Sequence, residues 1–316
     1  MKYAIALCLA PTFAAANPLV DTAVADHIMP RLDALVATTG DLVDAGCDAQ
    51  AAWDGAAQAW IAVSHLRFGP TEVDNRAFAL AFWPDPRGTT PKTLHGWLAD
   101  GTLDVSDASI AGRGFYAMEF LAFDEAFWEY EGTCDLMAVL ADDIHVNAVA
   151  IQTDWADTYA GLITEAGNDI YRTETESLQE LYKAVSTGLE FTVAQRLGRP
   201  LGTFDRPRPT RAEMRRAGRS LDNIAVSLDS LADLALILAD AELDVEITEL
   251  TDSAHEQIAR LAELDGGADL SLVDRPVDRF KVEALQQTLT DLRILLAEQL
   301  GPQLGVVEGF NSLDGD

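Results

Sequence analysis

The sequence is short of several things. Basic residues are scarce, with 22 Lys and Arg against 52 Asp and Glu and a formal net charge of −30. Such a chain does not recruit DNA, RNA or anionic lipid, which need basic patches. It suits cations or basic partners, or simply has a solvated acidic surface. Cysteine occurs 3 times and histidine 5 times. Neither Cys47 nor Cys134 has a CxxC partner or a nearby His, so a zinc site finds no support. GxSxG, HExxH and phosphate-loop motifs are absent, and His255-Glu256 lacks the second His of a zincin. No stretch reaches about 18 uninterrupted apolar residues, the length of an ordinary membrane span.

What is present begins with MKYAIALCLAPTFAAANP: one Lys, an apolar run from Tyr3 to Phe13, then Ala14-Ala15-Ala16. This reads as a secretory signal peptide, residues 1–16, cleaved after Ala16, and it implies a periplasmic mature protein. Cleavage removes Cys8 and leaves Cys47 and Cys134. In an oxidising compartment that even pair suggests one disulfide.

The mature chain has helical periodicity nearly throughout, with 48% hydrophobic residues. Val20, Val24, Ile28, Leu32 and Leu35 mark a first helix over Pro18–Val43. Asp48 is the expected N-cap of a second, which carries Trp53, Trp60 and Val63. A proline-rich break follows, FGPTEVDNRAFALAFWPDPRGTTP. Later helices are expected from Thr133 or Asp135 to about Glu165, and over Glu174–Leu197, Thr210–Ala239, Val245–Leu264 and Val277–Leu300. Thr210 and Glu213 have the spacing of a capping box. Gly198–Pro209, within the Arg-, Pro- and Gly-rich run RLGRPLGTFDRPRPT, is the linker candidate. The predicted fold class is all-α, with an N-terminal helical bundle over 17–197 and a C-terminal bundle over 210–316.

One helix breaks the rule that charges face water. In GFYAMEF, Glu119 shares a face with Phe115, Tyr116 and Phe123. A carboxylate buried there needs a partner, a shifted pKa or a task. The aromatic crowding of Phe115, Tyr116, Phe120, Phe123, Phe127 and Trp128 reads by default as core packing. Asp142-x-x-His145 and Asp252-x-x-His255 loosely resemble the Glu-x-x-His of di-iron bundles. Acids are frequent enough here to produce such pairs by chance.

Four segments, in order, resemble the imelysin family of exported bacterial helical proteins: AWIAVSHLRFGP (59–70), AFWPD (81–85), GRGFYAMEFLAF (112–123) and the terminal GFNSLDGD (309–316). The resemblance implies two four-helix-bundle-like halves and a role in bacterial iron acquisition. It also brings a peptidase label and a Gly-x-His-x-x-Glu metal motif. Here that motif has Gly114 and Glu119, but Tyr116 replaces the His. A neutral phenol is a poor metal ligand, although tyrosinate does bind ferric iron. The expectation is therefore a groove lined by Gly114, Tyr116, Glu119 and Arg113. Glu119 is paired to Arg113 or to a linker Arg, and is only a candidate as a metal ligand. The groove would take iron, a haem-type ligand or another periplasmic protein. A metallopeptidase and an interaction module for a redox partner are the rival readings. The resemblance also implies that the tail packs on the body through Gly309, Phe310, Asn311 and Asp314.

Overall fold

The structure is a computed structural model that describes residues 17–101, 104–105 and 109–306. Residues 1–16, expected to be a signal peptide, and the tail residues Gly309, Phe310, Asn311 and Asp314 lie outside the described residues. The fold is all-α. Its helices are α1 (18–44), α2 (Gln50–Val63), α3 (Arg76–Leu80), α4 (Thr89–Asp100), α5 (Gly114–Phe123), α6 (133–164), α7 (174–201), α8 (Ser220–Leu238), α9 (Ala241–Ala262) and α10 (276–303). Among the described residues, β pairing is confined to two isolated bridges, Ala81 with Gly114 and Thr203 with Arg206.

α1 packs on α2 and α6, and α5 on α6 and α2. α7, α8, α9 and α10 make the second bundle, and α8 also packs on α2. The helix begun at Glu174 therefore belongs with the C-terminal set and runs through Gly198 to Leu201, inside the stretch expected to be linker. One hydrophobic core passes through both bundles, with Trp53, Trp155, Phe115 and Leu231 among its buried residues.

Side-chain caps set some of the boundaries. Asn17 and Asp240 cap α1 and α9 through their side chains. Asp48 does not cap α2, which starts after Ala49 without a side-chain bond. α8 starts at Ser220, ten residues beyond the expected Thr210, because Glu213 is drawn into the core instead of capping. α5 is apolar on every side rather than on one stripe, and all of it except Phe120 and Phe123 is buried. Its first residue must be glycine. Gly114 has φ +75°, and a Cβ there would run into the carbonyls of Ala79 and Leu80.

Four long helices contain a π-helical turn: Ala23–Ile28, Trp155–Tyr159, Thr192–Leu197 and Leu296–Leu300. The wider turn re-aims the residues it carries, and such turns gather at functional sites. Two of them deliver buried polar groups, His27 and Arg196, to the junction of the bundles.

At that junction His27 Nδ1 bonds Asp233 of α8 at 2.8 Å, and His27 Nε2 meets His65 Nε2 at 3.0 Å. Asp233 also accepts from Arg31 at 2.9 Å. The geometry fits two neutral rings: His27 donates from Nδ1 to Asp233 and accepts at Nε2 from His65. Burial lowers the pKa of His27 despite Asp233. It lowers that of His65 further, helped by Arg31 and Arg196 and by the repulsion that protonating both rings would bring.

Cys47, just after α1, and Cys134, at the start of α6, form a disulfide with Cα atoms 5.2 Å apart. It closes a sequence separation of 87 residues.

Two predictions follow from this architecture. Thiol labelling of the unreduced, denatured mature protein should find no free thiol, and reduction should lower stability by up to about 4–5 kcal/mol. Two labelled cysteines would contradict the pairing. The His27–His65 pair is depressed below the ordinary 6.5. The unfolded chain therefore takes up protons that the folded pair refuses as pH drops. Stability should be full above about pH 6.5 and fall as the pH drops below it. Denaturant titrations should show that slope flattened in His27→Gln/His65→Gln. An unchanged slope in the double variant would rule out the pair as its source.

Candidate functional site

The site expected around Glu119 is built where α5 faces the 202–219 segment. Glu119 is buried. Its Oε1 accepts from the backbone N–H groups of Arg216 (2.8 Å) and Ala217 (3.3 Å), and the Arg216 guanidinium lies 3.8 Å from Oε2. Burial raises its pKa, opposed by Arg216 and those two N–H groups. Arg216 also bonds Asp124 at 3.0 Å and lies over the Phe120 ring at 3.5 Å. The partner is thus an Arg of the segment after the expected linker. Arg113 turns the other way and forms a two-pronged pair with Asp143 of α6, at 2.9 and 2.6 Å.

Tyr116 shares no partner with Glu119. Its hydroxyl donates to Glu213 Oε1 at 2.5 Å. The other Glu213 oxygen accepts from Arg196 Nε at 2.8 Å and from Asn223 at 3.1 Å. Arg196 spends its remaining donors on Thr192, Ser227 and Ser64 at 3.0–3.2 Å. Ser220 donates to the Glu213 carbonyl at 2.6 Å. Arg196 and Glu213 are each only 3% exposed at the side chain, so this is a fully desolvated ion pair with nearly every lone pair and proton employed.

A metal ion does not fit these residues. Burial and the adjacent Glu213 raise the Tyr116 pKa well above 10, so the phenol stays a protonated donor, the opposite of a tyrosinate ligand. Glu119 Oε1 and both Glu213 oxygens are engaged. Among the described residues no three His, Cys, Asp or Glu side chains converge as a metal set. His145 Nδ1 bonds Thr39 at 3.0 Å, and His255 lies 2.9 Å from Asp229, so neither loosely matched di-iron pair is assembled.

Beside this network lies a pocket of about 230 Å³. Tyr116 and Glu119 form its floor, Phe82, Trp83 and Phe120 its aromatic wall, and Arg199, Arg211 and Arg216 its basic side. Trp83 stacks on Tyr116 with ring centroids 6.1 Å apart. Gly114 and Arg113 do not line it. The sequence reading missed Arg196, Glu213, His27 and His65. Glu213 was masked by its capping-box spacing. The only available signal for the basic side was the arginine density of the linker.

Fold and site together define a two-bundle helical protein with a buried polar weld and a small pocket at the junction. The imelysin family model matches residues 22–296, and the chain belongs to that family. An imelysin-like protein from Psychrobacter arcticum 273-4 shares the fold at 18% identity and a TM-score of 0.73, over 92% of this chain and 96% of that one. A protein described as an iron-regulated protein A precursor from Parabacteroides distasonis ATCC 8503 does so at 13% identity and a TM-score of 0.73, over 91% and 94%. No curated protein matches the sequence.

Tyr116→Phe removes one hydroxyl and leaves Glu213 short of a donor. Chemical denaturation should show a loss of about 1–3 kcal/mol. Tyr116→His should gain no tight binding of zinc or ferrous iron by calorimetry, because the surrounding carboxylates are already engaged. A nanomolar metal site in that variant would contradict this account of the junction.

Proposed function

We propose that this chain is a non-enzymatic ligand-binding protein of bacterial iron acquisition or handling, exported to the periplasm. Its ligand occupies the junction pocket beside Tyr116 and Glu119. The observation that carries the reading is the pocket itself: a concave site with aromatic walls and a few convergent polar groups, set between two bundles. Family membership supports it, as does the iron-regulated description of a protein with the same fold. The pattern of residues 1–16 supports export, and no helix among the described residues is long and apolar enough to cross a membrane. At about 230 Å³ the pocket is below the roughly 300–1,000 Å³ that encloses drug-sized ligands, which favours a small molecule over a haem-type one.

The family label favours one rival, a metallopeptidase. The site residues argue against it, because Tyr116 is a protonated donor and Glu119 Oε1 is taken up by two backbone N–H bonds. Transcript and growth measurements test the proposal. Expression should rise under iron limitation, and a deletion strain should grow more slowly with an iron chelator present. Iron-independent expression with normal growth would overturn it, and chelator-sensitive cleavage of casein by the purified protein would establish the rival.

A further inference from the structure

Eight arginines fall between residues 196 and 219, against two acids, Asp205 and Glu213. In a chain with 52 acidic residues that concentration calls for a cause. Three of the eight are ion-paired, and a fourth, Arg215, acts on Glu119 only through its charge. Arg196 pairs with Glu213, and Arg216 with Asp124 and Glu119. Arg219 pairs with Asp54 and Asp222. The charge of Arg215 opposes the burial-driven rise of the Glu119 pKa, and its Nε is buried without a hydrogen-bond partner.

The other four, Arg199, Arg206, Arg208 and Arg211, make no ion pair among the described residues. They are close enough to disfavour one another's charge. Arg199 is lowered by burial and by Arg211, and Arg208 by burial, Arg206 and Arg211.

Two of these unpaired cations, Arg199 and Arg211, line the junction pocket. Arg199 lies 5.9 Å from the Trp83 ring centroid, and its Nε is buried without a hydrogen-bond partner. A buried, unsatisfied guanidinium N–H is costly and calls for an explanation, of which an anion drawn to the Arg199 side chain is one. The acids on the same wall cannot supply it. Asp85 accepts from the backbone of Arg87 and Thr90, and Glu119 from that of Arg216 and Ala217. With Arg216 held by Asp124 and Glu119, the unpaired charges of the pocket lining are Arg199 and Arg211 against Asp85, which leaves a positive excess on the arginine side.

We propose that Arg199 and Arg211 form a binding site for the oxyanion group of a small molecule, a carboxylate or a phosphate, whose remainder packs against Trp83 and Phe82. Planar guanidinium forks match both oxyanions with paired N–H bonds, and weak hydration suits Arg to a half-buried site. The proposal rests on the junction pocket being the ligand site and adds the charge class of the ligand. It also fits the electrostatics of the whole molecule. An anion approaching so acidic a surface is repelled everywhere except at a local basic patch.

The test is isothermal titration of the full mature protein with citrate and, separately, with inorganic phosphate, at ionic strength held constant with sodium chloride. At least one should bind, and the tighter of the two assigns the source as carboxylate or phosphate. Arg211→Gln alters an exposed side chain and should leave the fold intact while weakening binding at least about tenfold. Arg199→Gln should do the same, with its melting temperature measured alongside. Arg206→Gln, at an arginine without an ion pair that does not line the pocket, should retain binding. Failure of both anions to bind, or unchanged affinity in Arg211→Gln, overturns the proposal. Neither result touches the iron-limitation response, so loss of the anion site and loss of the iron reading are told apart.

Discussion

The ion pair between Arg196 and Glu213 is the constraint around which the junction is arranged. Two desolvated charges are expensive, and their attraction compensates only when the remaining donors and acceptors are also used. Here they are: three hydroxyls take the free guanidinium donors, and Tyr116 and Asn223 complete the carboxylate. The partners come from α5, α7, α8 and the turn after α2, so satisfying one pair fixes four parts of the chain relative to one another. The 202–219 segment has little regular structure of its own and is held by what Glu213, Arg216 and Arg219 bind.

The same segment shows how an acidic protein can hold a basic site. Its arginines fall into those that tie the segment down and those left over. The first group supplies order and the second supplies unneutralised charge at the pocket. Glu119, expected to be paired to an arginine, acts together with the first group. Accepting two backbone N–H bonds from Arg216 and Ala217, it fixes the loop that forms the pocket wall. Its role is positional, and the neighbouring Tyr116, a protonated phenol, serves Glu213 as a hydrogen-bond donor.

Much of the fold was legible in the sequence. Apolar spacing located α1, α2, α6, α9 and α10 to within a few residues, because each presents one apolar face to a core. α5 was legible for the opposite reason, its apolarity on all sides. The start of α8 was not. Thr210 and Glu213 satisfy a local capping rule, and the rule lost to a tertiary one, since a carboxylate that can meet a buried Arg and Tyr gains more there than at a frayed helix end. The continuation of α7 to Leu201 was hidden by Gly198 and Pro200, which read as breakers but sit where a π-helical turn already relaxes the ladder. Of the candidate site, the polar character of the Tyr116–Glu119 face was legible. Its partners lie about 80 to 100 residues away in sequence, and no spacing rule reaches that far.

The central claim is that Glu213 welds the two bundles through Arg196 on one side and Tyr116 on the other. A double-mutant cycle of Tyr116→Phe with Glu213→Gln, read by chemical denaturation, measures the Tyr116–Glu213 link directly. A hydrogen bond to an ionised acceptor is roughly twice as strong as one to a neutral acceptor, so the two changes should be non-additive by at least about 0.5 kcal/mol. Strict additivity would mean that Tyr116 and Glu213 do not act on each other, and the account of the junction would be wrong.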